Sequence, residues 1–168
     1  MRKTGNPYNI SAKAFRQSHN IQDLEQFRFI VGIDPDLHKS GWAIYDRQVK
    51  EFVVIKTMTF LDVIKGLLYI DSTAIKHQYL FILEYPDNTN TYHAGGKGAA
   101  LNVGKNQGAA IILKEMLIQM GCNYKLIAPA GYSKYFKQVL YFQKLTGWIG
   151  RTNDDARAAA AMVYYNLK

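Results

Sequence analysis

Apolar and polar positions along the chain follow two periods. Apolar-rich runs predict strands at 27–33, 41–45 and 52–56, and the polar stretches between them suit antiparallel turns. Phe60, Val63, Ile64, Leu67 and Leu68 recur at helical spacing, which predicts a helix over 60–70. Tyr79-Leu80-Phe81-Ile82-Leu83 is an unbroken apolar run, fit for a strand buried on both faces. A glycine-rich stretch from Tyr85 to Gly98 follows. Beyond it the pattern predicts a helix over 99–120, a strand at 124–127, a helix over 132–145 and an alanine-rich helix over 154–167. Three antiparallel strands, then helix–strand, helix–strand and closing helices, imply an α/β fold: a mixed sheet flanked by helices. Residues 1–26 are polar, basic and weakly patterned, and read as an extension with a short helix at 11–17. Residues 27–168 read as one domain.

Composition adds a partner. The sequence has 168 residues and is 48% apolar, enough for one buried core. Its 21 Lys and Arg outnumber 13 Asp and Glu, for a net charge of +8. A basic domain suits a polyanion, because each cation set on a phosphate releases counterions; a merely soluble basic protein is the alternative. The single cysteine, Cys122, excludes an internal disulfide or a cysteine-built zinc site and reads as a small core residue. No stretch reaches membrane-spanning length, and the N-terminus lacks the apolar core of a secretory signal, so a cytoplasmic location is expected.

Three carboxylates stand where apolar neighbours make them conspicuous. Asp34 ends an apolar strand, and Glu84 directly follows the most buried-looking run in the chain. Such groups are costly there unless a cation or strong donors meet them. Both lie at carboxyl ends of strands, where open α/β sheets gather ligands. Asp155 opens the last helix, with Asp154 beside it. An all-oxygen donor set without a histidine cluster suits Mg²⁺, with Mn²⁺ as a substitute. Two such ions about 4 Å apart would clamp the attacking and leaving oxygens of a phosphodiester. Taken singly, each residue has another reading: a turn aspartate before Pro35, a strand-end charge, and a capping box with Thr152 as N-cap and Asp155 three positions on.

Together these segments resemble the RuvC-type Holliday junction resolvases, the phage-encoded branch most closely. Gly32-Ile33-Asp34-Pro35 with Ser40-Gly41-Trp42-Ala43 resembles the family's first catalytic strand and hairpin, and Leu83-Glu84 its second catalytic segment. Leu101-Asn102-Val103-Gly104-Lys105-Asn106-Gln107-Gly108-Ala109-Ala110 resembles the glycine-spaced helix that follows. Thr152-Asn153-Asp154-Asp155-Ala156 resembles the last segment. The resemblance runs in order from about Phe27 to Leu167. It implies an RNase H-like fold, a homodimer, host-cell cytoplasm for a phage-encoded protein, and paired nicks across a four-way DNA junction in DNA recombination or repair. The mechanism expected is hydrolysis by two metal ions, one held by Asp34 and Asp155, the other by Asp34 and Glu84. The sequence departs from the family twice. Asp36 stands where glycine is usual, and Thr152 stands where the family carries an acidic residue or histidine. Asp154 is the candidate replacement ligand; it needs a non-helical start to the helix, since adjacent helical residues diverge by about 100°.

The DNA contacts expected are Tyr85, Tyr92, Lys97, Lys105, Lys134, Lys137 and Arg151. The glycine-rich stretch after Glu84 borders the proposed site, and its matching region in the family helps open the junction. Its tyrosines could stack on unpaired bases, and the lysines could meet phosphates. Tyr135, Phe136, Tyr141 and Phe142 fit core packing better than base stacking. Arg157 either steers DNA or solvates the last helix. The run Gly108–Leu113 is too apolar for one buried stripe, which leaves room for a dimer contact. Two other readings stay open: an RNase H-like nuclease for other branched DNA or structured RNA, and a non-catalytic junction-binding module. An actin-like kinase is disfavoured, because two such domains are needed to enclose a nucleotide.

Overall fold

The computed structural model describes residues 24–85, 96–128 and 136–167, with 96–103 as main chain only. Five strands form one sheet: β1 (Phe29–Asp34), β2 (Ser40–Asp46), β3 (Glu51–Met58), β4 (Tyr79–Glu84) and β5 (Asn123–Ile127). Four helices accompany them: α1 (Phe60–Asp71), α2 (Gly96–Gln119), α3 (Val139–Thr146) and α4 (Asp154–Asn166). The strand order is β3-β2-β1-β4-β5. Short polar turns join β1, β2 and β3, so those strands run antiparallel. Helical crossovers lead into β4 and β5, so β4 lies parallel to β1, and β5 parallel to β4. This is the RNase H-like mixed sheet expected from the sequence.

The sheet carries a core on each face. Val31, Ile33, Phe81 and Leu83 pack with Val63 and Leu67 of α1 and Leu113 and Leu117 of α2. On the other face Ile30, Leu80, Ile82 and Ala43 meet Ala156, Ala159, Ala160 and Val163 of α4. These four α4 positions follow the i, i+3, i+4, i+7 spacing of one helical stripe. Residues 80–83 are wholly buried, as an apolar strand covered on both faces must be. The far side of α4 is closed by Phe136 and Phe142, whose rings meet edge-on 5.4 Å apart. Phe136 also reaches Tyr164 and Tyr165, so both phenylalanines are core residues as expected.

Two glycines set how closely α4 approaches. A Cβ at Gly32 would collide with the carbonyl oxygen of Ala159, and one at Gly41 with that of Asp155. With no side chain at either position, the first two turns of α4 lie directly on β1 and β2.

Several boundaries move. β1 starts at Phe29, because a 3-10 turn at Leu24–Gln26 precedes it and Phe27 donates its N–H to the Leu24 carbonyl (3.2 Å). Leu24 packs on the core, although residues 24–26 were assigned to the extension. The helix expected over 132–145 is described only as α3, from Val139, behind an extended Gln138; 132–135 lie outside the described residues, as does the helix expected at 11–17. Cys122 is half-buried against the α1–α2 side of the core. On α2, Ile111 and Ile112 are exposed while Ala109, Ala110 and Leu113 are buried. Among the described residues no helix is long and apolar enough to cross a membrane.

The glycine contacts make a stability prediction. Gly41→Ala should lower unfolding free energy by about 1–3 kcal/mol, the usual cost of overpacking a closed contact. Gly66→Ala in α1, where a Cβ would meet the Trp42 ring and the Met58 methyl at ordinary distance, should be neutral or stabilising by up to about 1 kcal/mol. Denaturant titration of both variants checks this; equal effects would contradict it.

Candidate active site

Strand periodicity decides where the acids go. Side chains alternate between faces, so Asp34 shares a face with Ile30 and Gly32, and Glu84 with Leu80 and Ile82. That is the α4 face. The β1–β4 register runs in parallel to Ile33↔Leu83, so Asp34 and Glu84 follow at the same end of adjacent strands. On the other side Asp34 pairs with Gly41, the residue over which the Asp155 main chain lies. A strand end, its neighbour and a helix start thus bring three carboxylates to one edge of the sheet.

Their electrostatics are unfavourable in a way that invites a cation. Burial, then the charges of Glu84, Asp155 and Asp36, push the Asp34 carboxyl up to about 8. Burial raises Glu84. Burial also raises Asp155, with Asp36 and Asp154 adding to it, while Lys39 and a hydrogen bond from Asn153 pull the other way. Asp46 is the contrast. It is just as conspicuous, with only 4% exposure, yet Arg28 binds its carboxylate at 2.9 Å. That hydrogen bond, ahead of opposing burial, holds Asp46 below the usual carboxylate range. Asp46 is neutralised by the fold; among the described residues, the charges acting on Asp34 are those of other carboxylates.

The β1–β2 turn borders this edge. The Asp36 carboxylate accepts the N–H of His38 (2.6 Å) and of Lys39 (3.0 Å). Buried Ser40 donates to the Asp36 carbonyl (2.7 Å) and accepts its N–H (3.0 Å). Asp36 therefore organises the turn through an Asx-type bond that glycine could not make. Beside it lies a cleft of about 440 Å³ lined by Asp36, His38, Lys39, Lys105, Asn106 and Asp155. Of these, sequence reasoning assigned Lys105 and Asp155 to function and missed His38, Lys39 and Asn106. No sequence pattern singles out His38 or Lys39; only the folded turn turns them toward the cleft.

The start of α4 departs from the expected cap. Thr152 is not the N-cap; Asn153 is, with extended backbone and its side-chain oxygen accepting the Ala156 N–H (3.0 Å). The reason is competition: the Thr152 carbonyl and hydroxyl both accept from the Arg157 guanidinium, at 3.0 and 3.1 Å. Asp154 is the first residue of α4 and is ion-paired with Arg157. Arg157 does not solvate the helix; it is 5% exposed.

The other expected contacts scatter. The Tyr85 ring stacks under the Lys114 ammonium, 5.0 Å away. Lys137 and Arg151 are exposed, away from the cleft lining. Lys97 lies in the first turn of α2, where the main chain alone is described, and Tyr92 and Lys134 lie outside the described residues.

As placed, no three of the described His, Cys, Asp and Glu side chains stand close enough to hold one ion together. Pairs of carboxylates suffice for Mg²⁺, which keeps several waters and takes one or two protein carboxylates plus phosphate oxygens. The donors fit that ion: oxygen only, with no cation among the described residues compensating Asp34.

No family model matches the chain, and no curated protein matches it. Among solved structures it is similar to T. thermophilus RuvC in complex with a Holliday junction substrate. The two are 13% identical with a TM-score of 0.48, over 83% of this chain and 94% of that one. The fold assignment rests on the strand order and register, not on this likeness.

The raised acids predict a pH dependence for the metal-free protein. A carboxyl with a higher pKa folded than unfolded binds its proton more tightly in the fold. Its stabilisation is complete below about 4 and is lost as pH rises toward 8. The melting temperature of metal-free protein should therefore fall between about pH 4 and 8, and Asp34→Asn should remove much of that fall. Thermal melts across that range check it; an unchanged slope in the variant would contradict the assignment.

Proposed function

We propose that the chain is a metal-dependent endonuclease that nicks branched DNA, with four-way junctions as its substrate and Asp34, Glu84 and Asp155 as its metal-binding carboxylates. The observation that carries this reading is the convergence of three carboxylates, raised in pKa and without an ion pair among the described residues, at one end of the sheet beside a lysine-bearing cleft. Asp34 and Asp155 would hold one Mg²⁺, and Asp34 and Glu84 the other. When bound, such ions lower the pKa of the attacking water and stabilise the departing 3′ oxygen. The chain's own part is to aim oxygen donors from a rigid strand end and to keep one side of the site apolar.

Lys39 and Lys105 would hold phosphates next to the scissile one, and the net charge of +8 would supply affinity that does not depend on sequence. The preference for four-way junctions rests on the ordered motif resemblance to the RuvC-type resolvases. A homodimer belongs to the same reading, with exposed Ile111 and Ile112 of α2 as the apolar surface at its two-fold axis.

The test is cleavage of a labelled four-way junction in Mg²⁺ and in Mn²⁺, beside linear duplex, flap DNA and structured RNA. Symmetric nicks on the junction are expected, and Glu84→Gln should abolish cutting while binding persists. Equal cutting of all substrates would keep the nuclease and remove the junction preference. Binding without cutting in either metal would favour a junction-binding module. Lys39→Ala and Lys105→Ala should each weaken junction binding and flatten its dependence on log salt by about one unit, the signature of one lost phosphate contact. Unchanged slopes would place the DNA elsewhere.

A further inference from the structure

We infer that Arg157 is a positioning residue for Asp155, and that it withdraws Asp154 and Thr152 from the metal-facing group. The inference rests on the nuclease reading above. Arg157 is a cation with 5% exposure in the first turns of α4. Its guanidinium folds back over the helix start, donating to the Thr152 carbonyl at 3.0 Å and hydroxyl at 3.1 Å. Its other terminal nitrogen pairs with the Asp154 carboxylate. Its Nε finds no acceptor among the described residues. Burying a guanidinium is expensive even when it is paired, and a solvated arginine one turn along would avoid the cost. The arrangement makes sense if the segment entering α4 must be held in one conformation.

That segment carries Asp155 into the site. Between the residues bound by Arg157 lies Asn153, whose Nδ2 donates to the Asp155 carboxylate at 3.2 Å. Its Oδ1 accepts the Ala156 N–H at 3.0 Å and also the hydroxyl of Thr57 on β3. Arg157 fixes Thr152 and Asp154 on either side of Asn153, and Asn153 fixes Asp155. The geometry also separates the two adjacent acids. Adjacent helical residues point about 100° apart. With Asp154 turned to Arg157 at i, i+3, Asp155 is turned away from it, toward the edge occupied by Asp34. The Asp154 carboxylate, though its side chain is 64% exposed, is held by Arg157 and so is not offered to a metal ion. The site then has three carboxylates, and Arg157 stands behind them.

The experiment combines Arg157→Gln, Arg157→Lys, Asp154→Asn and the double variant Asp154→Asn with Arg157→Gln. Three readouts are taken: chemical unfolding, Mn²⁺ binding by electron paramagnetic resonance, and steady-state junction cleavage. Arg157→Gln should lower kcat by about 10–100-fold, the usual cost of losing a group behind a metal ligand, with KM for the junction unchanged. Arg157→Lys should recover part of that loss. Asp154→Asn should keep the Mn²⁺ stoichiometry and lose far less activity than Glu84→Gln. In unfolding, the double variant should be no worse than the poorer single variant, since both remove one interaction.

Loss of a Mn²⁺ ion in Asp154→Asn, or cleavage abolished as in Glu84→Gln, would make Asp154 a ligand and overturn the proposal. A raised KM with kcat intact in Arg157→Gln would make Arg157 a DNA contact and overturn it equally. Should Arg157→Gln not fold, Thr152→Val, which removes one acceptor of the guanidinium, takes its place with the same expected split between kcat and KM. If the wild-type chain neither binds Mn²⁺ nor cuts, the nuclease reading fails and the positioning role with it. Coupling between Asp154 and Arg157 in unfolding would then show that the ion pair itself was correctly read.

Discussion

The contact between α4 and the sheet, made across Gly32 and Gly41, is the constraint on which the rest depends. A side chain at either glycine would strike the main chain of the helix. Their absence lets an alanine stripe sit directly on β1 and β2, and it closes one of the two cores. The same approach brings the Asp155 main chain over Gly41, the register partner of Asp34. Packing and chemistry are thus set by one contact. A helix held farther out would still cover the sheet, but its first turn would lie away from the ends of β1 and β4.

What that contact assembles is electrostatically poor by itself. Asp46 shows how the fold treats a buried acid it means to neutralise: an arginine fork lies on the carboxylate, and its pKa falls. At Asp34 burial and the negative charges of Glu84, Asp155 and Asp36 act together, and the pKa rises to about 8. The same logic separates the two adjacent acids at the start of α4. Asp154 is ion-paired with Arg157, while among the described residues Asp155 has no ion pair, only the pull of Lys39 and a neutral hydrogen bond from Asn153. An arrangement that costs the apo fold stability is what a cation-dependent site looks like before the cation arrives.

Most of the architecture could be read from periodicity. The run 79–83 sits in a strand with a fully buried interior because nothing else suits five consecutive apolar residues between turns. Asp34 and Glu84 stood out because each ends such a strand, and a period of two places both on the α4 face. The start of α4 was not legible in the same way. Thr152 has the right chemistry for a cap, and only the folded structure shows that Arg157 takes both of its oxygens and hands the cap to Asn153. Arg157 itself looked like a surface cation, because sequence spacing does not register the hydrogen bonds and ion pair that fold it back over Thr152 and Asp154. His38 and Lys39 were invisible for a related reason: an Asx-type turn, not a periodic element, brings them to the cleft.

The most direct measurement of the central claim is a crystal structure of the protein soaked in Mn²⁺, with anomalous scattering used to locate the ions. Two peaks are predicted at the ends of β1 and β4, one shared by Asp34 and Glu84 and one by Asp34 and Asp155, with none on Asp154. No peak at Asp34 in a crystal that holds Mn²⁺ elsewhere would contradict the claim that these carboxylates are gathered to bind metal.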